Sequence, residues 1–497
     1  MSSDCVTTIF RAQTRRCQQA GESGGPGRSQ VSSSHHLAVW LREVAGPDWL
    51  LYCQLYSERR DCWVSERWAY SSSSSSPPST LFTDLVPSEA GPDLHLVLSL
   101  YRLGRMTASQ AGEAGQRRSS SSLGPASLYK RPVAVAVSSL APLLTGQTPS
   151  PEHEITDTVK LFSCEEKEFN QLHSMIIRAT GKVSPLTAGL TTITLKMRIF
   201  TGFLADVRAQ HLDLKDLPES RKLGFAPVIM PGDWRNDLFV TLVRGQFDKG
   251  KPATSARNIE VVLSVFSGDG KEVGGAVVRG PSNSGVFYHN NNPCWEETFR
   301  LEIPVEIFQR PGCHLRLEFY HCSVKEKQER KLVGFSWLEV MTGEGTVIQD
   351  GEHELVVFRT DSVDKLSCGT YLNNEHSLSK SGKESVVIRT KLCSTKLTQN
   401  VDLMSLLKWR RATPSDIPDI LDGLMKTGRV ARCSQIYHFP HASLNSLNII
   451  LLQRLSLQFL FKISNIIWNI CNRLSRGGGD CQVFTRRPGR SLLNVRY

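Results

Sequence analysis

Long apolar runs are missing from this sequence of 497 residues. No segment reaches the roughly 18 uncharged apolar residues that a membrane-spanning helix needs. The most apolar stretch lies in the C-terminal tail, where Arg454 and Lys462 interrupt it. The opening stretch MSSDCVTTIFRAQTRR also contains no apolar run long enough for a signal peptide. We therefore expect a cytoplasmic protein whose contacts with membranes are peripheral.

Paired cysteines are missing as well. The 13 cysteines stand singly between Cys5 and Cys481, with no CxxC pair and no CxH or HxC grouping. Zinc sites and redox motifs need such groupings, so neither is predicted. Single, scattered cysteines are typical of reduced thiols in a cytosolic protein. The net charge of +11 favours anionic partners such as lipid headgroups, acidic proteins or nucleic acid.

The sequence contains no complete catalytic motif. GQFDKGKP, from Gly245 to Pro252, has proline where a phosphate-binding loop needs Ser or Thr, and a strand pattern follows it instead of a long helix. GESGG at 21–25 matches the nucleophilic-serine pattern but lacks the preceding strand that would create the strained turn. HExxH is absent, and no carboxylate pair stands apart from ordinary solvated Glu and Asp. The sequence therefore predicts no catalytic residue, no metal site and no cofactor.

The first half of the chain shows β-strand alternation interrupted by low-complexity segments. Segments rich in Ser, Gly or Arg are predicted to be disordered or to break the fold, at 1–34, 71–79 and 117–125. Alternating apolar residues predict strands at 94–106, 131–140 and 191–200. One helix is predicted at 164–180, with an apolar face of Phe169, Leu172, Met175 and Ile176. Residues 35–220 are thus expected to form a β-rich region.

From Asn236 onward, short strand patterns follow one another closely. They are DLFVTLV, NIEVVLSVF, GVFYHN, ETFRLEI, HLRLEFYH, LVGFSWLEV and HELVVF. Seven short strands at this spacing predict an antiparallel β-sandwich of about eight strands over 235–398. Within it, NNNPCWEETFRLEI at 290–303 resembles the Asn-Pro-x-Trp-x-Glu-x-Phe element of C2-type sandwiches. Trp295 and Phe299 are therefore predicted to anchor the core.

Helical periodicity begins after this sandwich. VDLMSLLKWRR and SDIPDILDGLMKTG predict two helices within 399–431. The tail at 432–497 is mostly apolar but carries a polar stripe, which is typical of a helix that lacks its packing partner. An interfacial membrane helix is the alternative, although its polar face would carry more positive charge. The predicted fold class is mainly β: a C2-type antiparallel β-sandwich preceded by a β-rich region and followed by a short helical segment.

Two inter-strand connections concentrate positive charge. RGQFDKGKPATSAR at 244–257 has four basic residues and one acidic residue, and KEKQERK at 325–331 has four basic and two acidic residues. If both leave the same end of the sandwich, they would form a cationic socket for a multiply phosphorylated headgroup. The alternatives are a solvated charged surface and a nucleic-acid surface, which would need interleaved aromatic residues. Isolated Asp248 and Asp269 are too few to hold calcium.

Several long stretches make the sequence resemble the dedicator of cytokinesis (DOCK) family around its first Dock homology region. They are RKLGFAPVIMPGDWRNDLFVTLVRGQFDKG, LCSTKLTQNVDLMSLLKWR, FTDL, YRLGRM and KRPVAVAV, within 80–430. The resemblance, which is to the branches acting on Rac- and Rap-type GTPases, implies a C2-type domain. It further implies that this domain binds phosphatidylinositol trisphosphate and is recruited peripherally to the plasma membrane. Through it, the candidate lipid-binding residues are Lys249, Lys251, Arg257, Lys325, Lys327, Arg330 and Lys331.

The sequence also departs from the family pattern. Members of these branches begin with an SH3 domain that engages an ELMO-type adaptor, and continue through armadillo-like helices into a second homology region that catalyses nucleotide exchange. We expect neither the SH3 domain before residue 80 nor the exchange region after about Ala431. The chain is therefore expected to be a lipid-binding part of a DOCK exchange factor, with GTPase and adaptor as partners through the resemblance only. The alternative is a non-catalytic lipid-binding or adaptor module; nucleic acid is not an expected partner.

Overall fold

The computed structural model describes 34–42, 46, 48–72, 77–104, 106, 129–144, 154–187, 189–225, 235–248, 256–277, 282–323, 330–341, 347–360, 371–372, 378–397 and 399. These residues form mostly β-strands, so the predicted mainly-β class is confirmed. The predicted helices within 399–431, the tail at 432–497, the segment 1–33 and the break at 117–125 lie outside the described residues. None of the described helices is long and apolar enough to span a membrane.

Twelve strands are described in the N-terminal region. They are β1 His35–Leu41, β2 Trp49–Ser57, β3 Cys62–Trp63, β4 Trp68–Tyr70, β5 Ser79–Leu85, β6 Leu94–Gly104, β7 Tyr129–Ser139, β8 Glu154–Lys160, β9 Phe162–Ser163, β10 Ser184–Pro185, β11 Thr192–Thr201 and β12 Glu219–Arg221. The first sheet has the order β12-β5-β1-β11-β8. The second has the order β10-β9-β7-β6-β2-β3, with β4 beside β2. β6, β7 and β11 confirm the three strands predicted in this region.

The second sheet is buried on both faces, as its apolar composition requires. Because side chains of a strand alternate between faces, Leu96 and Leu98 of β6 pack with Leu37 of the first sheet, whereas Val97 packs on the opposite side. That opposite side joins the core of the C-terminal sandwich, which includes Val240. The N-terminal region and the sandwich thus share one hydrophobic core.

Helices are few and short among the described residues. They are α1 Ala141–Leu144, α2 Leu172–Ile177, α3 Leu204–Gln210 and α4 Val305–Phe308, together with 3-10 turns at Glu166–Gln171 and Leu212–Leu214. The helix predicted at 164–180 is therefore a 3-10 turn that continues into α2. Its predicted apolar face is correct in outline, since Phe169 and Leu172 are buried and Met175 and Ile176 are half-buried.

The described part of the sandwich has seven antiparallel strands. They are β13 Asn236–Gln246, β14 Ile259–Phe266, β15 Cys294–Glu302, β16 His314–His321, β17 Lys331–Glu339, β18 Gly351–Phe358 and β19 Lys380–Ser394. Their order is β14-β16-β17-β18-β19-β13-β15. β17 and β18 pair only at Phe335 and Phe358, so the sheet bends there and its two halves close on each other. Trp295 is 1% exposed and Phe299 is buried, as predicted.

Two details of the predicted sandwich were wrong. GVFYHN at 285–290 is not a strand, because its backbone groups bond to scattered partners: Val286 N–H donates to the carbonyl of Lys130 in the N-terminal region at 2.7 Å, and His289 N–H donates to Asn258. β19 was missed, although it is a central strand that pairs with both β13 and β18. These two differences cancel in the strand count, and the described residues form seven strands where about eight were predicted.

Candidate headgroup-binding end of the sandwich

Strand register brings both basic connections to one end of the sandwich. Ile259, the first residue of β14, pairs with His321, the last residue of β16, and His321 pairs with Lys331, the first residue of β17. The connection 247–258, which precedes β14, and the connection 322–330, which links β16 to β17, therefore leave the same end. We call them the first and the second basic connection. Arg244, counted with the first from the sequence, lies within β13 instead.

Two further connections reach this end. Gln246 at the end of β13 pairs with Ser385 near the start of β19, and Phe358 at the end of β18 pairs with Lys380. The segment 284–293 then enters β15, whose first residue, Cys294, pairs with Arg244. We refer to the described parts of these four connections as the loop end; it comprises 247–248, 256–258, 284–293, 322–323, 330–331, 359–360 and 378–384.

Asn258 ties three of these connections together. Its side chain is buried, its Oδ1 accepts the backbone N–H of His289 at 2.7 Å, and its Nδ2 donates to the carbonyl oxygen of Cys322 at 2.9 Å. An amide supplies both a donor and an acceptor, so one buried side chain can satisfy both backbone groups. The sequence carried only a weak signal for this role, a polar residue directly before an apolar strand.

Glu384 closes the first basic connection at its two ends. Its Oε1 accepts the backbone N–H of Asp248 at 2.9 Å and lies 2.9 Å from Nη1 of Arg257. Nη2 of Arg359 is 3.7 Å from the same oxygen. A fully buried carboxylate is stable only with such partners, so the ion pair with Arg257 is structural. The side chain of Arg257 is only 14% exposed. Glu384 was not identified from the sequence, since β19 was not.

The described candidates differ in what their side chains do. Arg330 pairs through Nη1 with Glu260 at 3.1 Å and lies 4.3 Å above the ring of Tyr320. Lys331 is exposed, and no carboxylate of the described residues pairs with it. The remaining candidates lie outside the described residues: Lys249, Lys251, Lys325 and Lys327.

His321, the last residue of β16, lies near basic residues of the loop end. Burial lowers the pKa of this imidazole, and the nearby charges of Arg257, His289 and Lys331 lower it further. The neutral ring can then accept the backbone N–H of Asn258 at Nδ1, 3.2 Å away.

A third connection adds basic residues that sequence reasoning missed. Arg359 follows β18, and Lys380 and Lys383 open β19, all three exposed at the loop end. The signal was present in SLSKSGKES, but without β19 its position in the fold could not be inferred.

The two aspartates considered for calcium do not meet. Asp248 precedes β14 at the loop end, whereas Asp269 follows Phe266, the last residue of β14, and therefore lies at the opposite end. Asp269 there accepts a hydrogen bond from Ser267 and lies 3.7 Å from Lys271. Among the residues with described positions, no group of three or more His, Cys, Asp or Glu side chains is placed to hold a metal ion.

Comparisons with known proteins agree with this architecture. The family described as "DOCK N-terminus" matches residues 1–226, and the family described as "C2 domain in Dock180 and Zizimin proteins" matches residues 231–402. The chain belongs to the DOCK family. The resemblance inferred from the sequence is thereby confirmed, and the two matches meet between β12 and β13.

Similar DOCK proteins are considerably longer than this chain. It is 33% identical to human Dedicator of cytokinesis protein 4 over 451 residues, which cover 84% of this chain and 22% of that protein. It is 34% identical to mouse Dedicator of cytokinesis protein 3 over 452 residues, 84% of this chain and 21% of that one. Among solved structures, a C2 domain of plant Extended Synaptotagmin 1 is 13% identical with a TM-score of 0.22, covering 33% of this chain and 97% of that chain. The chain thus spans about a fifth of the length of these DOCK relatives.

Proposed function

We propose that this chain is a lipid-binding part of a DOCK exchange factor, and that its loop end binds the headgroup of phosphatidylinositol trisphosphate at the plasma membrane. The observation that carries the proposal is the register of β14, β16 and β17, which makes both basic connections leave one end. Each basic side chain near an anionic membrane surface contributes about 1 kcal/mol, so several at one end can hold a polyphosphorylated headgroup.

We assign different roles to the arginines and the lysines among the seven candidate residues. Arg257 and Arg330 are bound to Glu384 and Glu260, so they hold the chain at the ends of the two basic connections. Lysine side chains then supply the lipid contacts. They are Lys249, Lys251, Lys325, Lys327 and Lys331, with Lys383 as a further lysine at the same end.

Family membership supports two further partners. Rac- or Rap-type GTPases and an ELMO-type adaptor fit the DOCK family, so the whole protein would act in small-GTPase signalling. The regions matched here are the N-terminal and C2 regions, not an exchange-catalysing region, and membrane placement is the activity we assign to this chain. The second candidate is an adaptor module with no exchange activity. Purified chain should therefore not accelerate nucleotide release from Rac; acceleration would overturn this assignment.

Charge reversal tests the lipid site directly. Lys325→Glu with Lys327→Glu should lower sedimentation with vesicles containing the trisphosphate by about tenfold or more, because each charge contributes about 1 kcal/mol. The thermal midpoint should stay nearly unchanged, since exposed charges contribute little to folding. Binding of the unmodified chain should weaken at high salt, where attraction is screened over about 3 Å at 1 M.

A matched control uses the opposite end of the sandwich. Lys271 and Arg310 are exposed there, and Lys271→Glu with Arg310→Glu changes the net charge by the same amount. This variant should bind trisphosphate vesicles within about twofold of the original chain, because its charges lie beyond the range of screened attraction. If the Lys325 and Lys327 variant still distinguishes trisphosphate from bisphosphate, these lysines are solvated surface and the proposal is wrong.

A further inference from the structure

The N-terminal region reaches the loop end through the hairpin of β6 and β7. Gly104, the last residue of β6, pairs with Tyr129, the first residue of β7. Tyr129 is buried in one cluster with Val286 and Cys322, which belong to the loop end. Residues of the N-terminal region therefore form part of the support beneath the candidate headgroup site.

Lys130, the next residue of β7, holds the segment 283–286 from the N-terminal side. Its side chain is 2% exposed, and its ammonium group donates to the carbonyl oxygen of Asn283 and to the hydroxyl of Tyr52 at 3.2 Å. Its backbone carbonyl accepts the N–H of Val286 at 2.7 Å. A buried ammonium group is stable only with such partners, and Glu297 supplies the counter-charge at 4.0 Å.

The sandwich holds the same segment from the other side. Gly285 donates its N–H to Oε1 of Glu297 at 2.8 Å and accepts the indole N–H of Trp295 at 2.9 Å. A Cβ at this glycine would lie 2.9 Å from Glu297 and 3.0 Å from Tyr101, so the backbone can approach both regions only because no side chain is present. The segment is clamped between β7 and β15.

From this clamp, contacts continue to the residues that flank both basic connections. The ring of Tyr288 lies 5.1 Å from the guanidinium of Arg131 and stacks on His289 with ring centroids 3.9 Å apart. His289 N–H then bonds to Asn258 at the end of the first basic connection, and Asn258 bonds to Cys322 at the start of the second. Contiguous packing and hydrogen bonds of this kind can carry energetic coupling between two regions.

We propose that Lys130 is a positioning residue for the headgroup site: through the segment 283–293, the N-terminal region holds Asn258 and Cys322, which flank the two basic connections, and selectivity for the trisphosphate depends on it. This inference rests on the proposed lipid-binding function and assigns part of that function to the N-terminal region. Coupling is reciprocal, so a bound headgroup also strengthens the contacts of Lys130 with the segment 283–286.

Lys130→Met tests the inference, because methionine keeps the apolar stem and removes the ammonium group. Arg300→Met is the matched control: its guanidinium is also buried, lies 2.8 Å from Glu66 of the N-terminal region, and sits towards the other end of β15. Both variants should lose thermal stability. Selectivity for trisphosphate over bisphosphate vesicles should fall about tenfold in Lys130→Met, within the range known for coupled sites, and stay within about twofold in Arg300→Met.

Hydrogen exchange of the unmodified chain provides a second test, which does not depend on whether the variants fold. The soluble inositol headgroup carrying the same phosphates should slow exchange of the Val286 amide, which is bonded to Lys130, more than that of Thr395, whose amide bonds to Arg235 at the far end of β13. Equal losses of selectivity in the two variants, or equal protection of the two amides, would overturn the role of Lys130 alone. If the unmodified chain does not select the trisphosphate, the proposed function falls, and this inference falls with it.

Discussion

The indole N–H of Trp295 donates to the carbonyl oxygen of Gly285 at 2.9 Å. Among the described residues, Trp295 is the largest fully buried side chain, and its partner Gly285 belongs to the segment that the N-terminal region also contacts. The core anchor that the Asn-Pro-x-Trp pattern predicts is thus also a support of the loop end.

Replacing Trp295 by Ala should lower the free energy of unfolding by about 3 to 5 kcal/mol, because a large buried aromatic leaves a cavity. Trp295→Phe keeps most of the apolar volume but removes the indole donor from the Gly285 carbonyl, which still accepts the Ser284 hydroxyl at 3.0 Å, so it should cost about 1 kcal/mol. Urea denaturation followed by circular dichroism measures both. An unchanged midpoint for the Ala variant would show that Trp295 is not part of the core.

Glu384→Ala should destabilise the chain by about 3 to 5 kcal/mol, because it leaves Arg257 buried without its counter-charge. Glu354 on the neighbouring strand β18 is exposed and contacts Ser385, so Glu354→Ala should change stability by no more than about 0.5 kcal/mol. Thermal midpoints of the two variants give the comparison. Similar small shifts for both would mean that Glu384 does not hold the first basic connection.

His173 should make stability depend on pH. Burial lowers the pKa of this imidazole to about 4, outweighing the Asp61 carboxylate, which raises it; the Asn170 carbonyl also raises it and Arg178 lowers it. The unfolded chain binds this proton near pH 6.5, so the stabilisation is complete above about pH 6.5 and is lost as the pH falls towards 4, about 3 kcal/mol in all.

The thermal midpoint should therefore fall between pH 7 and pH 4, and the fall should be shallower in His173→Phe. Phenylalanine keeps a ring against Tyr56 and Trp63, whose centroids lie 4.5 and 4.7 Å from the imidazole. His36, His314 and His321 also have lowered pKa values and add slopes of the same sign, but they contribute equally to both proteins and cancel in the difference between them. If the thermal midpoints of the two proteins fall equally with pH, the pH dependence does not come from His173.

Lipid binding should not need calcium. Calcium takes about six to eight oxygen ligands. Asp248 and Asp269 lie at opposite ends of β14, so they cannot share one ion. Sedimentation with trisphosphate vesicles should be equal with added calcium and with chelator. A loss of binding on adding chelator would contradict this expectation.

Local chemistry determined much of this fold, and it was readable from the sequence alone. The period-two alternation of β16, with Leu315, Leu317 and Phe319 inward, depends only on neighbours in the chain. The same holds for the mainly-β class, the C2-type motif around Trp295 and the charge of the two basic connections. The boundaries predicted at 35–220 and 235–398 stay predictions.

Only the tertiary structure decided what the charged residues of the loop end do. Arg257 was predicted to bind lipid, yet its guanidinium is bound to Glu384, 127 positions away. Lys130 precedes an apolar run and was not predicted to have a role, yet its ammonium group contacts Asn283, 153 positions away. A side chain's charge is local information, but its counter-charge and its burial depend on strand register and on the packing of distant strands, which no short stretch of sequence contains.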